Sequence, residues 1–198
     1  IATEDERFYN HSGVDIRSLF RAVYGVISRS GSSGGGSTIT QQLAKMLFPR
    51  EDLHGFSLVI RKIKEWIIAV KLEREYTKQE IIAMYLNKFD FLNQAVGVKS
   101  AAQIYFNTTP DQLTVEQGAM LIGMLKNSSL FNPIRREEKV TKRREVVLKQ
   151  MEKNGYITEQ QYDSLRVLPL GLDFQRISHT EGMAPYFREV LRGKIQEL

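Results

Sequence analysis

The stretch GGGSTITQQLAK, residues 34–45, organises the fold around it. Its glycines allow backbone conformations that are closed to other residues. Thr38 and Gln41 have the spacing of a capping box, which predicts that a helix begins here. A glycine-rich entry into a helix N-terminus presents free N–H groups that suit a phosphate. A flexible Gly/Ser linker in front of an ordinary helix is the alternative that this stretch alone leaves open.

Composition narrows the class of protein. With 198 residues, of which 42% are hydrophobic and 26% charged, the chain fits one ordinary globular domain. The absence of cysteine excludes disulfides, thiolate nucleophiles and cysteine-based zinc sites. A formal charge of +5 favours a polyanion, a phosphorylated substrate or an anionic membrane surface as partner. No apolar run is long enough to span a membrane and no signal peptide is visible; since the chain begins at Ile1, we expect a fragment of a longer protein.

Helical periodicity dominates the chain in both directions from this stretch. Alternation with a period of two is almost absent, which predicts an all-α fold. The first predicted helices run from Asp15 to about Ser28, over 38–47 and from Ser57 to about Glu75, the last with an apolar stripe of Ile60, Ile63, Ile67 and Val70. A further helix begins at Thr77 with a buried face that reaches Phe89, and another, around the small residues of Gly97–Ala102, ends near Phe106. The remaining predicted helices run from Thr114 to Lys126, over Arg136–Lys153, after Thr158 and over Tyr186–Leu198.

Three further segments carry groups suited to chemistry or binding. Residues 4–13, EDERFYNHSG, combine acids, aromatics and a histidine, although an ordinary surface loop could do the same. Arg61 and Lys62 precede Glu65 by four and three positions, so they share a helix face with it; a solvated ion pair is the alternative. Residues 46–60 are rich in apolar side chains, although Pro49 and Gly55 interrupt helix continuity. Without any family resemblance, this composition favours burial in the core over contact with lipid headgroups.

Taken together, these stretches resemble the glycosyltransferase domain of peptidoglycan synthesis, family 51. This domain is the polymerase half of class A penicillin-binding proteins and the whole of monofunctional transglycosylases. The resemblance rests on motifs in the family's order, from Glu4 to about Gln150: ED-x-x-F-x-x-H-x-G at Glu4–Gly13, GGSTITQQ at Gly35–Gln42, RK-x-x-E at Arg61–Glu65, K-x-x-I-x-x-x-YLN at Lys78–Asn87 and RR-x-x-VL at Arg143–Leu148.

The resemblance implies a fold and a domain organisation. It implies a helical, lysozyme-like large lobe over residues 1–170 and a small membrane-associated jaw at about 46–60. This reverses the preference for burying residues 46–60 in the core. Residues 171–198 resemble a linker that leads into a transpeptidase domain.

The implied reaction polymerises lipid II into a β-1,4 glycan and releases undecaprenyl pyrophosphate. By resemblance, Glu4 is the general base of an inverting displacement. Cations stabilise the leaving pyrophosphate, and Glu65 either orients them or holds Mg²⁺ or Mn²⁺ against it; no organic cofactor is implied. The implied substrate-binding residues are Asp5, His11, Ser37, Thr38, Gln41, Gln42, Lys45, Arg50, Arg61, Lys62, Tyr85, Asn87 and Arg143.

The implied partners are lipid II, the lipid-linked growing glycan, the bacterial membrane surface and moenomycin-type inhibitors, with no nucleic acid. The implied location is the outer face of the bacterial cytoplasmic membrane. Two other classes stay open on the residues alone. A lysozyme-like hydrolase would share the catalytic glutamate but would not need the cations. A non-catalytic basic helical module would need the charge but not the pair Glu4 and Glu65.

Overall fold

The computed structural model describes residues 1–20, 36–48 and 57–175, with side chains from residue 60 onward in the third range. Within these ranges the chain is helical and contains no β-strand; Asp90 and Val96 form one isolated bridge. This confirms the predicted all-α class. Residues 16–20 are helical, and 3-10 helices cover Phe8–Asn10 and Pro110–Gln112. The α-helices are named in chain order: α1 (Ile39–Leu47), α2 (Ser57–Glu75), α3 (Lys78–Lys88), α4 (Gly97–Phe106), α5 (Val115–Met124), α6 (Glu137–Lys153) and α7 (Glu159–Arg166).

Side-chain capping sets the starts of four helices. The Thr38 hydroxyl accepts a hydrogen bond from the backbone N–H of Gln41 and so caps α1. Helices α3, α5 and α7 each begin with a complete capping box, in which a threonine and a Glu or Gln three residues later satisfy each other's backbone N–H groups. The three boxes are Thr77 with Glu80, Thr114 with Gln117 and Thr158 with Gln161, all as predicted.

The hydrophobic core forms where α1, α3, α4 and α5 meet. Helix α1 packs against both α2 and α3, and α5 packs along α6. The core residues from these helices and the loops between them are fully buried or nearly so: Phe8, Leu43, Ile81, Tyr85, Phe91, Ile104, Tyr105, Met120 and Met124. The N-terminal loop is therefore anchored by Phe8 to the same core that fixes α1 and α3.

Helix α2 turns its apolar stripe outward. Ile60, Ile63 and Ile67 are 44%, 45% and 53% exposed, whereas Glu65 and Ala69 are buried. The amphipathic pattern therefore located the helix correctly but would have placed the wrong face against the core. The face of α2 that is buried carries Ala69 and Glu65. Glu65 is part of the site described below.

The segment after α7 folds back onto the domain. Arg144, which is 1% exposed, donates from Nη1 to the carbonyl oxygen of Pro169 at 2.8 Å and from Nη2 to that of Leu168. Leu170 is buried, and the backbone N–H groups of residues 173 and 175 donate to carbonyl oxygens of α4. The segment 167–175 thus packs against the core, and the boundary predicted near residue 170 stays a prediction.

Several sequence-based predictions fall outside the described residues. They concern the helix beyond residue 20, Gly34, Gly35, the centre of the predicted jaw with Arg50, and the helix at 186–198. Among the described helices, none is long and apolar enough to cross a membrane.

Candidate active site

Two consecutive carboxylates of the N-terminal loop contact opposite sides of one cleft. Asp5 Oδ2 accepts a hydrogen bond of 3.0 Å from the backbone N–H of Ile39 in the first turn of α1. Glu4 Oε1 lies 3.2 Å from Nη2 of Arg143 on α6. The side chains of Glu4 and Arg143 are only 12% and 11% exposed. The loop therefore holds the Glu4 carboxylate between α1 and α6.

Asp5 and His11 fix the shape of this loop. Nε2 of His11 lies 3.0–3.1 Å from the two carboxylate oxygens of Asp5, and both side chains are almost completely buried. The N-terminus of α1 stabilises the negative charge of Asp5. Lys78 donates to the carbonyl oxygen of His11 at 2.6 Å and pairs with Glu73 at 2.8 Å. These contacts are structural, and they set the position of Glu4.

The N-cap of α1 is locked against the loop at Gly13. Thr38 Oγ1 donates to the carbonyl oxygen of Gly13 at 2.6 Å, and Gln41 Nε2 approaches the same oxygen at 3.4 Å. Gly13 has φ +93°, and a Cβ there would lie 2.8 Å from the backbone of Ala69 on α2. A glycine is required here because the backbone has a left-handed conformation and α2 passes too close for a side chain.

We expect Gly13→Ala to destabilise the domain by about 1–3 kcal/mol, since both the positive φ and the approach of α2 oppose a methyl group. The matched control is Gly118→Ala on α5, where a new Cβ would meet nothing within 4 Å. Thermal unfolding of the two variants is the measurement. The midpoint should fall clearly for Gly13→Ala and stay equal or rise for Gly118→Ala; equal midpoints would contradict this reading of the loop.

Two lysines from different helices converge on the buried carboxylate of Glu65. Its Oε2 lies 3.0 Å from Lys62 Nζ and 3.7 Å from Lys45 Nζ. Lys62 also donates to the hydroxyl of Ser37 at 2.9 Å. Glu65 therefore holds a cation from the last turn of α1 together with one from α2, and the latter also contacts Ser37 just before α1 begins. Arg61 is half-buried and has no ion-pair partner within the described part of the chain.

Glu65 does not fit a divalent cation site built by the protein. Two ammonium groups already surround its carboxylate, and Mg²⁺ and Mn²⁺ prefer a set of several oxygen ligands. No group of three or more His, Asp or Glu side chains that could hold a metal occurs among the residues that the structure describes. A divalent cation held jointly by Glu65 and the phosphate oxygens of a substrate stays a prediction from the sequence.

The cleft between these helices has a volume of about 690 Å³. Tyr85 OH donates to Gln42 Oε1 at 3.0 Å in its wall. Burial, with the nearby charge of Glu4, raises the pKa of the Tyr85 phenol. Tyr85 therefore stays protonated and fixes the Gln42 amide, whose nitrogen is left to donate.

Not every predicted site residue reaches this cleft. Those in its lining are Glu4, Asp5, Ser37, Thr38, Gln42, Lys45, Tyr85 and Arg143. Those outside the lining are His11, Gln41, Arg61, Lys62, Glu65 and Asn87. Four of these contact residues of the lining: His11 contacts Asp5, Gln41 contacts Thr38, Lys62 contacts Ser37 and Glu65 contacts Lys45. The Asn87 side chain is exposed. Its backbone packs closely against Gly97, where an added Cβ would lie only 2.6 Å from the backbone carbonyl oxygen of Asn87.

Sequence reasoning missed three residues that line the cleft on the same side as Arg143. Lys126, Val146 and Gln150 line the cleft with Arg143. Val146 is 46% exposed although it lies in an apolar run of α6. Val146 is exposed beside Arg143 because of the way α6 packs in the tertiary structure. In the sequence, the only signal was its place inside the RR-x-x-VL motif.

The cleft of this helical domain holds a largely buried carboxylate and ion-paired cations, which are groups suited to glycosyl transfer. The sequence model of the family described as Transglycosylase matches residues 1–152. The chain belongs to this transglycosylase family. The resemblance found in the sequence motifs is thereby confirmed.

Individual relatives agree with the family. The chain is 42% identical to penicillin-binding protein 1A of Escherichia coli over 97% of its own length and 22% of that protein. It is 40% identical to penicillin-binding protein 1F of Bacillus subtilis, covering 97% of this chain and 26% of the relative. The crystal structure of penicillin-binding protein 1A from Haemophilus influenzae matches with a TM-score of 0.50 and 28% identity, over 79% of this chain and 19% of that one. The chain thus spans about a quarter of the length of these relatives or less.

Proposed function

We propose that this chain is a peptidoglycan glycosyltransferase that polymerises lipid II into β-1,4-linked glycan and releases undecaprenyl pyrophosphate. The observation that carries the proposal is the position of Glu4. Its carboxylate lies in the cleft between the cations beside α1 and Arg143 on α6. One group that can accept a proton is therefore placed between two regions that can hold anions.

In the proposed reaction Glu4 is the general base. It removes the proton from the 4-hydroxyl of the acceptor sugar, whose oxygen attacks the anomeric carbon of the donor. The bond from that carbon to the pyrophosphate breaks, and its electron pair leaves with the pyrophosphate. Because the donor is α-linked and the product β-linked, a single inverting displacement is sufficient and no covalent intermediate is needed.

The developing charge on the pyrophosphate is stabilised on the α1 side of the cleft. Lys45 lies in its lining and Glu65 holds Lys45 and Lys62 together. Fixed cations and hydrogen-bond donors cost no reorganisation when the charge develops. Ser37 and Gln42 supply such donors around the N-terminus of α1, and Thr38 caps the helix between them. In this scheme Glu65 is a positioning residue rather than a second acid or base.

The decisive experiment supplies the purified chain with lipid II and analyses the products by size. Long glycan with release of undecaprenyl pyrophosphate supports the proposal. A lysozyme-like hydrolase would instead cleave preformed glycan, and a binding module would convert neither substrate. Either of these results would overturn the proposal.

We also propose that the chain acts at the outer face of the bacterial cytoplasmic membrane, with its jaw against the lipid. Supporting this, Leu47, Phe48 and the three isoleucines of the α2 stripe are exposed at the two edges of residues 46–60. The neighbouring Arg61 and Lys64 are basic. An apolar surface beside basic side chains suits the interface of an anionic bilayer.

Replacing both Ile63 and Ile67 with serine should weaken binding to phosphatidylglycerol vesicles about tenfold or more, because each side chain then loses apolar contact with the bilayer. The unfolding temperature should change little, since both residues are about half exposed. Val167→Ser, at a 73% exposed position of the exit segment, is the control. Vesicle flotation measures binding; unchanged binding with a large drop in unfolding temperature would show that the stripe packs within the domain and does not contact the membrane.

A further inference from the structure

Glu73 and Lys78 form an ion pair inside the domain that has no part in the proposed reaction. Lys78 opens the motif K-x-x-I-x-x-x-YLN and is the first residue of α3, and Glu73 lies near the end of α2. Their side chains are only 5% and 19% exposed, Glu73 the less so. Neither residue lines the cleft. The pair therefore does not contact a substrate in the cleft, and another reason for holding two charges inside the domain is needed.

The ammonium group of Lys78 joins α2 and α3 to the N-terminal loop. Its Nζ lies 2.8 Å and 2.9 Å from the two carboxylate oxygens of Glu73. It also donates to the backbone carbonyl oxygen of His11 at 2.6 Å and lies 4.3 Å from the centre of the Phe8 ring. Charge-assisted hydrogen bonds and a cation–π contact thus fix this group from several directions.

The carboxylate of Glu73 extends the network to α1. Thr40, in the first turn of α1 and completely buried, donates from Oγ1 to Glu73 Oε1 at 2.6 Å. One carboxylate therefore contacts residues of α1 and α3 while it belongs to α2. Through Lys78 it also reaches the loop that carries Glu4.

Stability alone is a poor explanation for such a pair. Replacing both members of a buried ion pair by neutral side chains of similar volume is often neutral or stabilising, whereas removing one member leaves the other unpaired and is strongly destabilising. Geometry is the better explanation here. Lys78 fixes the backbone of His11, and the His11 ring contacts Asp5, the residue next to Glu4.

We propose that Glu73 and Lys78 are positioning residues for Glu4, and that they contribute to the rate of transfer and not to the net stability of the fold. The proposal rests on the proposed function of Glu4 as the base. The two residues act through the backbone of the N-terminal loop, and Thr40 holds Glu73 in place. A misplacement of about 1 Å far from the chemistry can cost about 10² in rate.

The first test is Lys78→Met in the purified chain with lipid II as substrate. We expect kcat to fall about 10- to 100-fold because the loop loses the contact at His11. The KM for lipid II and the affinity for a moenomycin-type inhibitor should stay within about twofold, since neither member of the pair lines the cleft. The unfolding temperature should fall by about 5 °C or more, because Glu73 is left buried without its partner.

The decisive variant combines Lys78→Met with Glu73→Gln. Both charges are then gone, and the amide oxygen at position 73 can still accept the hydrogen bond from Thr40. We expect at least half of the lost unfolding temperature to return while kcat stays at least about tenfold below wild type, since the contact to His11 is still missing. A pair with a purely structural role would return activity together with stability.

The matched control is the combination of Glu138→Gln with Lys142→Met. These residues form an ion pair of 2.6 Å on α6, exposed on both sides and outside the cleft lining. The same chemical change at this pair should leave kcat, KM and the unfolding temperature at their wild-type values.

Three results would overturn the proposal. The first is a kcat of Lys78→Met within about threefold of wild type. The second is a double variant at positions 73 and 78 whose kcat recovers with its unfolding temperature, or whose unfolding temperature does not recover at all. The third is a raised KM with kcat unchanged. If wild-type protein makes no glycan, the proposed function fails as well; if it polymerises normally and one of the three results is obtained, only this proposal fails.

Discussion

Glu4→Gln is expected to lower the rate of polymerisation about 10²- to 10⁴-fold, the contribution typical of a general base. The amide keeps the size of the side chain and an oxygen that can still accept the hydrogen bond from Arg143. The loop should therefore keep its shape through Asp5 and His11. What is lost is the basic oxygen that takes the proton of the acceptor hydroxyl.

The control for this experiment is Glu6→Gln. Glu6 also lines the cleft and is exposed, and the substitution is chemically identical. Polymerisation of lipid II is measured for both variants, together with the unfolding temperature and the affinity for a moenomycin-type inhibitor. Activity of Glu4→Gln within about tenfold of wild type would be too small a loss for a general base, and the role would have to be assigned to another group.

The second large effect is expected at Glu65. Glu65→Gln removes the charge that holds Lys62 and Lys45 together, so both ammonium groups lose their orientation toward the leaving pyrophosphate. Removing one preorganised contact of this kind costs about 10²–10³ in rate. We expect such a loss for Glu65→Gln, with weaker binding of a donor-like inhibitor. Glu4→Gln should not weaken that binding.

A double-mutant cycle tests how Glu65 acts. If it works through Lys62, combining Glu65→Gln with Lys62→Met should cost far less than the sum of the separate losses in log rate. Lys64→Met, an exposed neighbour on the same helix, should add independently. A coupling energy within about 0.5 kcal/mol of zero across Glu65 and Lys62 would show that the two residues act separately.

Local structure could be predicted from the sequence because its causes are local. The three capping boxes place a threonine and its partner three positions apart, and the helix starts follow directly. The bounds predicted for the longest helix, Ser57 to Glu75, agree with the structure. The family assignment was equally accessible, because its motifs are short runs of residues in a fixed order.

The partners of the side chains could not be predicted in this way. Arg143 reaches Glu4 across 139 positions of sequence, and spacing cannot reveal such a contact. Spacing also placed both Arg61 and Lys62 on the helix face of Glu65. The structure pairs Glu65 with Lys62 and with Lys45 from α1, whereas Arg61 has no ion pair among the described residues, because the packing of α1 on α2 decides which cations face the carboxylate. The outward stripe of α2 has the same origin.

The guanidinium of Arg144 sets a practical limit on how this domain can be trimmed or transplanted. Its Nη1 and Nη2 atoms donate to the carbonyl oxygens of residues 169 and 168, which follow α7. A truncation at the end of α7 would strand a buried charge without them, at a cost of about 1–3 kcal/mol or more. It would also remove the buried side chain of Leu170 from the hydrophobic core. A chimera that joins this domain to another one should therefore place its junction after residue 175.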